Sequence, residues 1–242
     1  RDAQESRGLG DVYKRQHMWF GDLVTMKWWD DLWLKESFAD FMGALGAIEA
    51  NGFNDAWVTF ANHRKSWAYL QDQLPTTHPI VADIPHLEAA AQNFDGITYA
   101  KGASTLKQLV SYVGFDTFIE AARVYFKRFA WGNTSLQDFL DVLNEVSGRD
   151  MQTWSQAWLQ TSGLSTLGTR RVYREDGKLQ DLYLTQQLPD TQPAGIGRPH
   201  VVKLETFILQ EEKLVSTGTL SLEYPADPIA EYRVSLPQEH KK

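Results

Sequence analysis

The chain has no cysteine, so disulfides and thiolate metal sites are both excluded, and any metal would have to be held by histidine and carboxylate side chains. It also lacks a long apolar run. The longest, Phe41 to Ile48, is far too short to cross a bilayer, and the first residues have no apolar stretch of the kind a secretory leader carries. No membrane partner is expected, and a cytoplasmic location is the expectation. A basic stripe is missing too: 24 Lys and Arg stand against 31 Asp and Glu, a formal charge of −7, which argues against nucleic acid as a partner. Tryptophan is absent from the last third, all nine falling between Trp19 and Trp158. Two differently built regions are implied, in a chain of 242 residues that is 43% hydrophobic and able to bury a sizeable core.

The acidity belongs to the Trp-bearing region. Residues 17–165 hold 17 Asp and Glu against 10 Lys and Arg, a balance that favours a cationic ligand through the summed field. Residues 1–16 show neither helical nor strand periodicity and offer only Leu9, Val12 and Tyr13 as large apolar groups, so they read as a foreign or disordered segment. From His17 the character changes. Leu34, Phe38, Phe41, Leu45 and Ile48 follow helical spacing up to the stop signal Asn51-Gly52, and Asn54 or Asp55 can open a helix carrying Trp57, Phe60 and Trp67. Thr98 to Val113 reads as a helix ended by Gly114. Asp116, Thr134 or Ser135, and Asp150 can cap three more, the last stopping at Gly163. Beyond Gly163 the period becomes two, with hairpin signals at Asp176-Gly177 and at residues 210–213, so 164–242 is expected to be a small antiparallel β region.

The residues able to carry chemistry are few. His17 alone is an ordinary histidine in an aromatic run, and Glu36, 19 positions later on the next helix, alone is an ordinary glutamate. Together, the stretch from His17-Met-Trp-Phe-Gly-Asp to Leu-Trp-Leu-Lys-Glu36 resembles the end of the HExxH-x18-E motif of the aminopeptidase N-like zinc metallopeptidases, a gluzincin family. The likeness continues through Thr77-His78-Pro79-Ile80, through Phe94-Asp95-Gly96-Ile97-Thr98-Tyr99-Ala100-Lys101-Gly102-Ala103, and through Trp131-Gly132-Asn133-Thr134.

That resemblance implies an α+β multidomain protein, in which residues 17–163 are the mostly helical part of a thermolysin-like catalytic domain and 164–242 a small antiparallel β-sandwich. It implies one zinc ion, with His17 as the second His ligand and Glu36 as the third, and Tyr99 as the catalytic hydroxyl that stabilises the oxyanion of the tetrahedral intermediate. The substrates would be peptides with a free amino terminus. Lys101 is expected to be a solvated or structural charge and Gly102 a close-packing position. Asp40 is expected to be a surface carboxylate, with a contact to a ligand histidine as the alternative. His63, His78, His86, His200 and His240 show no ligand spacing, and Trp28, Trp29 and Trp33 are expected to pack.

The sequence departs from the family pattern where the mechanism is centred. The first His and the Glu of HExxH should stand at positions 13 and 14, which hold Tyr13 and Lys14. A phenol of ordinary pKa near 10 is a poor zinc ligand, and a lysine puts a cation where an anion is needed. The expectation is therefore a fragment of a zinc aminopeptidase that lacks the parent's amino-terminal and carboxy-terminal domains, binds zinc weakly or not at all, and is inactive as it stands. Two alternatives belong to other classes: a non-catalytic pseudoenzyme whose acidic cleft binds peptides, and an aromatic-rich carbohydrate-binding module, which needs exposed, coplanar Trp side chains.

Overall fold

The apolar stripe from Leu34 to Ile48 folds as α1, Trp33–Asn51, and ends on Gly52, whose φ of 69° is the left-handed geometry glycine adopts without strain. The computed structural model describes Lys14 and residues 16–52, 55–191, 197–225 and 231–235; the reading of 1–16 as a foreign segment falls almost wholly outside them. The described residues divide into two units, one ending at Gly163 and the other starting at Leu164.

In the first unit a short strand, β1 (Val24–Met26), precedes a 3-10 turn at Trp29–Asp31 and then α1. Next, α2 covers residues 56–72 and is wound as a π-helix over Phe60–Lys65. The short α3 is Leu87–Gln92. α4 opens with a π turn, Ile97–Lys101, and continues as an α-helix over Gly102–Val113. α5 (Phe115–Phe129), β2 (Gly132–Thr134), α6 (Leu136–Ser147) and α7 (Met151–Trp158) complete the unit.

The parallel pairing of β1 with β2 was not legible in the sequence, since three-residue strands carry no usable period. Two boundaries also differ from the expectation. Gly114, at φ 91°, turns the backbone so sharply that α5 restarts at Phe115, which leaves Asp116 inside the first turn, where its charge favours the helix dipole. α7 stops at Trp158 rather than Gly163, and the Thr161 hydroxyl donates to the Ala157 carbonyl at 2.6 Å, satisfying one of the acceptors at the helix end. Ser135 and Asp138 form a reciprocal capping box on α6, and the Asp150 carboxylate accepts from the Thr153 amide on α7.

The core of this unit is aromatic. Phe38 is wholly buried, stacked on Phe20 with ring centres 4.1 Å apart and met edge-on by Phe139 at 5.2 Å. Trp33 and Trp154 are buried as well.

The second unit is antiparallel. β3 (Thr166–Tyr173) and β4 (Leu179–Gln187) form a hairpin whose turn holds Gly177 at φ 79°, and β7 (Glu231–Val234) pairs with the other side of β4. β5 (His200–Gln210) and β6 (Lys213–Tyr224) form a separate pair, closed by Glu211 and Glu212, both at positive φ as a tight hairpin turn requires. Leu182, Leu184 and Val234 from one sheet and Tyr224 from the other are buried in one apolar cluster. Helices in one unit and antiparallel strands in the other make this an α+β chain.

Candidate active site

His17 ends a helical turn, and the backbone after it reverses through Gly21 at φ 141°. A β-carbon there would lie 3.1 Å from the His17 carbonyl and 3.5 Å from its Nδ1, so glycine leaves room for the ring. The His17 Nδ1 lies 3.1 Å from the Phe20 carbonyl. When it donates there, the proton is fixed on Nδ1 and Nε2 presents its lone pair. That nitrogen faces the Glu36 carboxylate, 3.5 Å from Oε2. Glu36 sits in the first turn of α1, buried at 4% exposure, with Lys35 Nζ 3.4 Å from its other oxygen. The structure thus brings together the two residues that the spacing singled out.

Tyr99 stands on the π turn that opens α4, half-buried, with Trp67 and Phe94 rings each 6.5 Å from its own. A close seam between α1 and this turn sets its relation to Glu36. Ser37 donates to the Thr98 carbonyl at 2.6 Å, so the residue after Glu36 is bonded to the residue before Tyr99. Gly102 lies on the same seam, where a β-carbon would fall 1.9 Å from Ser37 Oγ, and here the expected close-packing role is observed.

Other residues need correction or addition. Asp40 is no surface carboxylate: only 11% of its side chain is exposed, and Arg64 grips both oxygens at 2.7–3.1 Å. Burial pushes its carboxyl above the usual range; Arg64 pulls it down, and the charge of Glu36 adds to the rise. Lys101 is buried and structural, its Nζ 2.7 Å from the buried Asp72, whose second oxygen accepts from Thr77 and from the Gly163 amide. The pairing was not legible in the sequence, because nothing in the 28 residues between the two links one to the other. Trp33 is buried, but Trp28 is 46% exposed with its indole N–H donating to the Ile84 carbonyl, so packing describes only part of that trio.

Asp95 is the residue that sequence reasoning passed over. One of its oxygens accepts from the Ile97 and Thr98 amides at 2.9 and 3.0 Å, and the other from His78 Nε2 at 2.8 Å and from the Gln71 side chain. An Asp two residues before a helix is a capping signal, and Phe94-Asp95-Gly96-Ile97 displays it. His78 places its other nitrogen 2.7 Å from the Pro79 carbonyl. Burial works to lower the His78 pKa, but Asp95 and the Pro79 carbonyl outweigh it and hold the group above the usual histidine value.

The sequence profile of the peptidase family M1 domain matches residues 13–159. The chain belongs to that family. Aminopeptidase N of Streptomyces lividans is 50% identical over 214 residues, covering 86% of this chain and 25% of the relative. Probable aminopeptidase 2 of Sulfurisphaera tokodaii is 42% identical over 152 residues, 63% of this chain and 20% of the relative. Tricorn protease-interacting factor F2 of Thermoplasma volcanium is 40% identical over 187 residues, 76% and 23% respectively. The chain spans a quarter or less of the length of these relatives.

Peptidase family M1 is a family of zinc metallopeptidases, so the donor set must be weighed against zinc. A catalytic zinc takes three protein ligands and keeps one position open. Among the described residues no group of three His, Cys, Asp or Glu side chains is placed to hold a metal ion. His17 and Glu36 supply two donors, Lys14 is exposed and cationic, and Tyr13 lies outside the described residues. The donors present do not fit the family's zinc site. Among the described residues no helix is long and apolar enough to cross a membrane.

Proposed function

We propose that this chain carries the helical part of a thermolysin-like catalytic domain, followed by a β-sandwich, from an aminopeptidase that removes amino-terminal residues from peptides. The observation that carries the reading is the meeting of His17 Nε2 and the buried Glu36 carboxylate, in a chain 50% identical to an aminopeptidase N over most of its length. In that reading His17 and Glu36 are the second and third metal ligands, Tyr99 offers its hydroxyl to the developing oxyanion, and peptides with a free amino terminus are the substrates.

With Tyr13 and Lys14 in place of a ligand and the general base, the chain is expected to be inactive by itself. A general base is typically worth about 10²–10⁴-fold in rate, so its loss alone would make turnover hard to detect. Aminoacyl anilide hydrolysis, measured with and without added zinc, tests this. No release of the aniline above the uncatalysed rate is expected; turnover that a chelator abolishes would overturn the inactivity and require a ligand set other than the one described.

A further inference from the structure

A part-buried network formed by Gln71, His78 and Asp95 lies outside the catalytic roles assigned above. A carboxylate has about four acceptor sites, and Asp95 fills four with two backbone amides, one imidazole and one side-chain amide. The two amides belong to Ile97 and Thr98, the first residues of the π turn, and Tyr99 follows immediately. Gln71 reinforces the arrangement by accepting from the Gly96 amide at 2.7 Å. The far end of the same turn is pinned by Lys101 on Asp72. A π turn, with its i→i+5 hydrogen bonds, is wound more loosely than an α-helix, and here both ends are held by charged groups.

His78 reaches the network from the loop between α2 and α3. Both of its ring nitrogens face acceptors, Pro79 O at 2.7 Å and Asp95 at 2.8 Å, which suits a doubly protonated ring. It also lines an open cleft of about 830 Å³ together with Asp83, Gln92, Asn93, Asp95 and Gln160. We propose that His78 is a positioning residue for Tyr99, acting through Asp95 to fix the π turn from which the tyrosine projects. The proposal rests on the reading of Tyr99 as the oxyanion-stabilising group, and it supplies the means by which that hydroxyl is aimed. The charged groups around His78 are Asp95, which favours its proton, Lys101, which opposes it, Lys101's partner Asp72, and Asp83 on the same cleft.

The test uses the whole chain and needs no turnover, so its outcome is separate from that of the hydrolysis assay. Amide hydrogen exchange at Ile97 and Thr98 is compared between the parent chain, His78→Gln and Tyr99→Phe, with the amides of α6 as an internal reference. Loss of one charge-assisted hydrogen bond to Asp95 predicts exchange at least about 10-fold faster at Ile97 and Thr98 in His78→Gln, with α6 unchanged and Tyr99→Phe like the parent. In the parent chain the Tyr99 ring resonances should also shift with a midpoint above the usual histidine value, and that transition should vanish in His78→Gln. Unchanged exchange at Ile97 and Thr98 would overturn the proposal, and so would an equal acceleration throughout the helical unit or a Tyr99 titration that survives the substitution.

Discussion

The two units bury themselves in opposite ways. In the helical unit Phe20, Phe38, Phe118, Tyr125 and Phe139 interlock, and two inner charges are paired, Lys101 with Asp72 and Asp40 with Arg64. The β unit buries four large apolar residues in its cluster, carries the Arg170–Glu231 ion pair on its surface, and leaves Phe207, Leu209 and Leu214 of its long hairpin exposed. Dense aromatic packing of this kind holds a side chain such as Glu36 in one place.

Core truncation should separate the units most strongly. Phe38→Ala removes a ring with no exposed surface and several aromatic neighbours, and about 3–5 kcal/mol of stability should be lost from the helical unit. Leu184→Ala in the β unit should cost about 2 kcal/mol, the low end for such a change, because Leu184 borders an open hollow with Val202, Leu204 and Tyr224 that can collapse. Urea unfolding followed separately in each unit measures both. Equal losses would remove the distinction.

Charge should show the same contrast at slightly smaller scale. Lys101→Met strands a buried Asp72 and should cost the helical unit roughly 3 kcal/mol. Arg170→Met breaks the exposed Arg170–Glu231 pair of the β unit and should change its unfolding midpoint by nothing measurable.

The dependence on pH is the most diagnostic, because its sign reverses. His78 has a folded pKa above its ordinary 6.5, so its contribution is complete below pH 6.5 and is lost as pH rises through the folded value. His200 is pushed down to about 4, by burial first and then by Arg198, so the unfolded chain takes up the proton first. Its contribution is complete above pH 6.5 and is lost as pH falls toward 4. Site-resolved exchange across pH 4–8 should therefore weaken the surroundings of His200 on the acid side and those of His78 on the alkaline side; the same sign at both would contradict the assigned environments.

How much of this was legible in the sequence depends on what each feature leaves there. α1 was readable because its stripe repeats over 15 residues, and α6 and α7 because Ser135 and Asp150 are strong caps. The His17 and Glu36 pairing was readable because its spacing matches a family motif. Lys101 with Asp72, Arg64 with Asp40, and the His78 and Gln71 donors to Asp95 were not, since these partners are joined only by the tertiary fold. The β1 and β2 pairing was hidden for the same reason.

The proposed reading makes His17 and Glu36 two of three zinc ligands, with position 13 the place of the third in the family's motif. Calorimetric zinc titration of the parent chain, Tyr13→His, and Tyr13→His combined with Glu36→Gln tests it most directly. Tyr13→His should raise zinc affinity by more than the ~100-fold that even an outer hydrogen-bond partner of a ligand can be worth, and adding Glu36→Gln should remove the gain. Equal affinities in all three proteins would contradict the placement of His17 and Glu36 at a metal site.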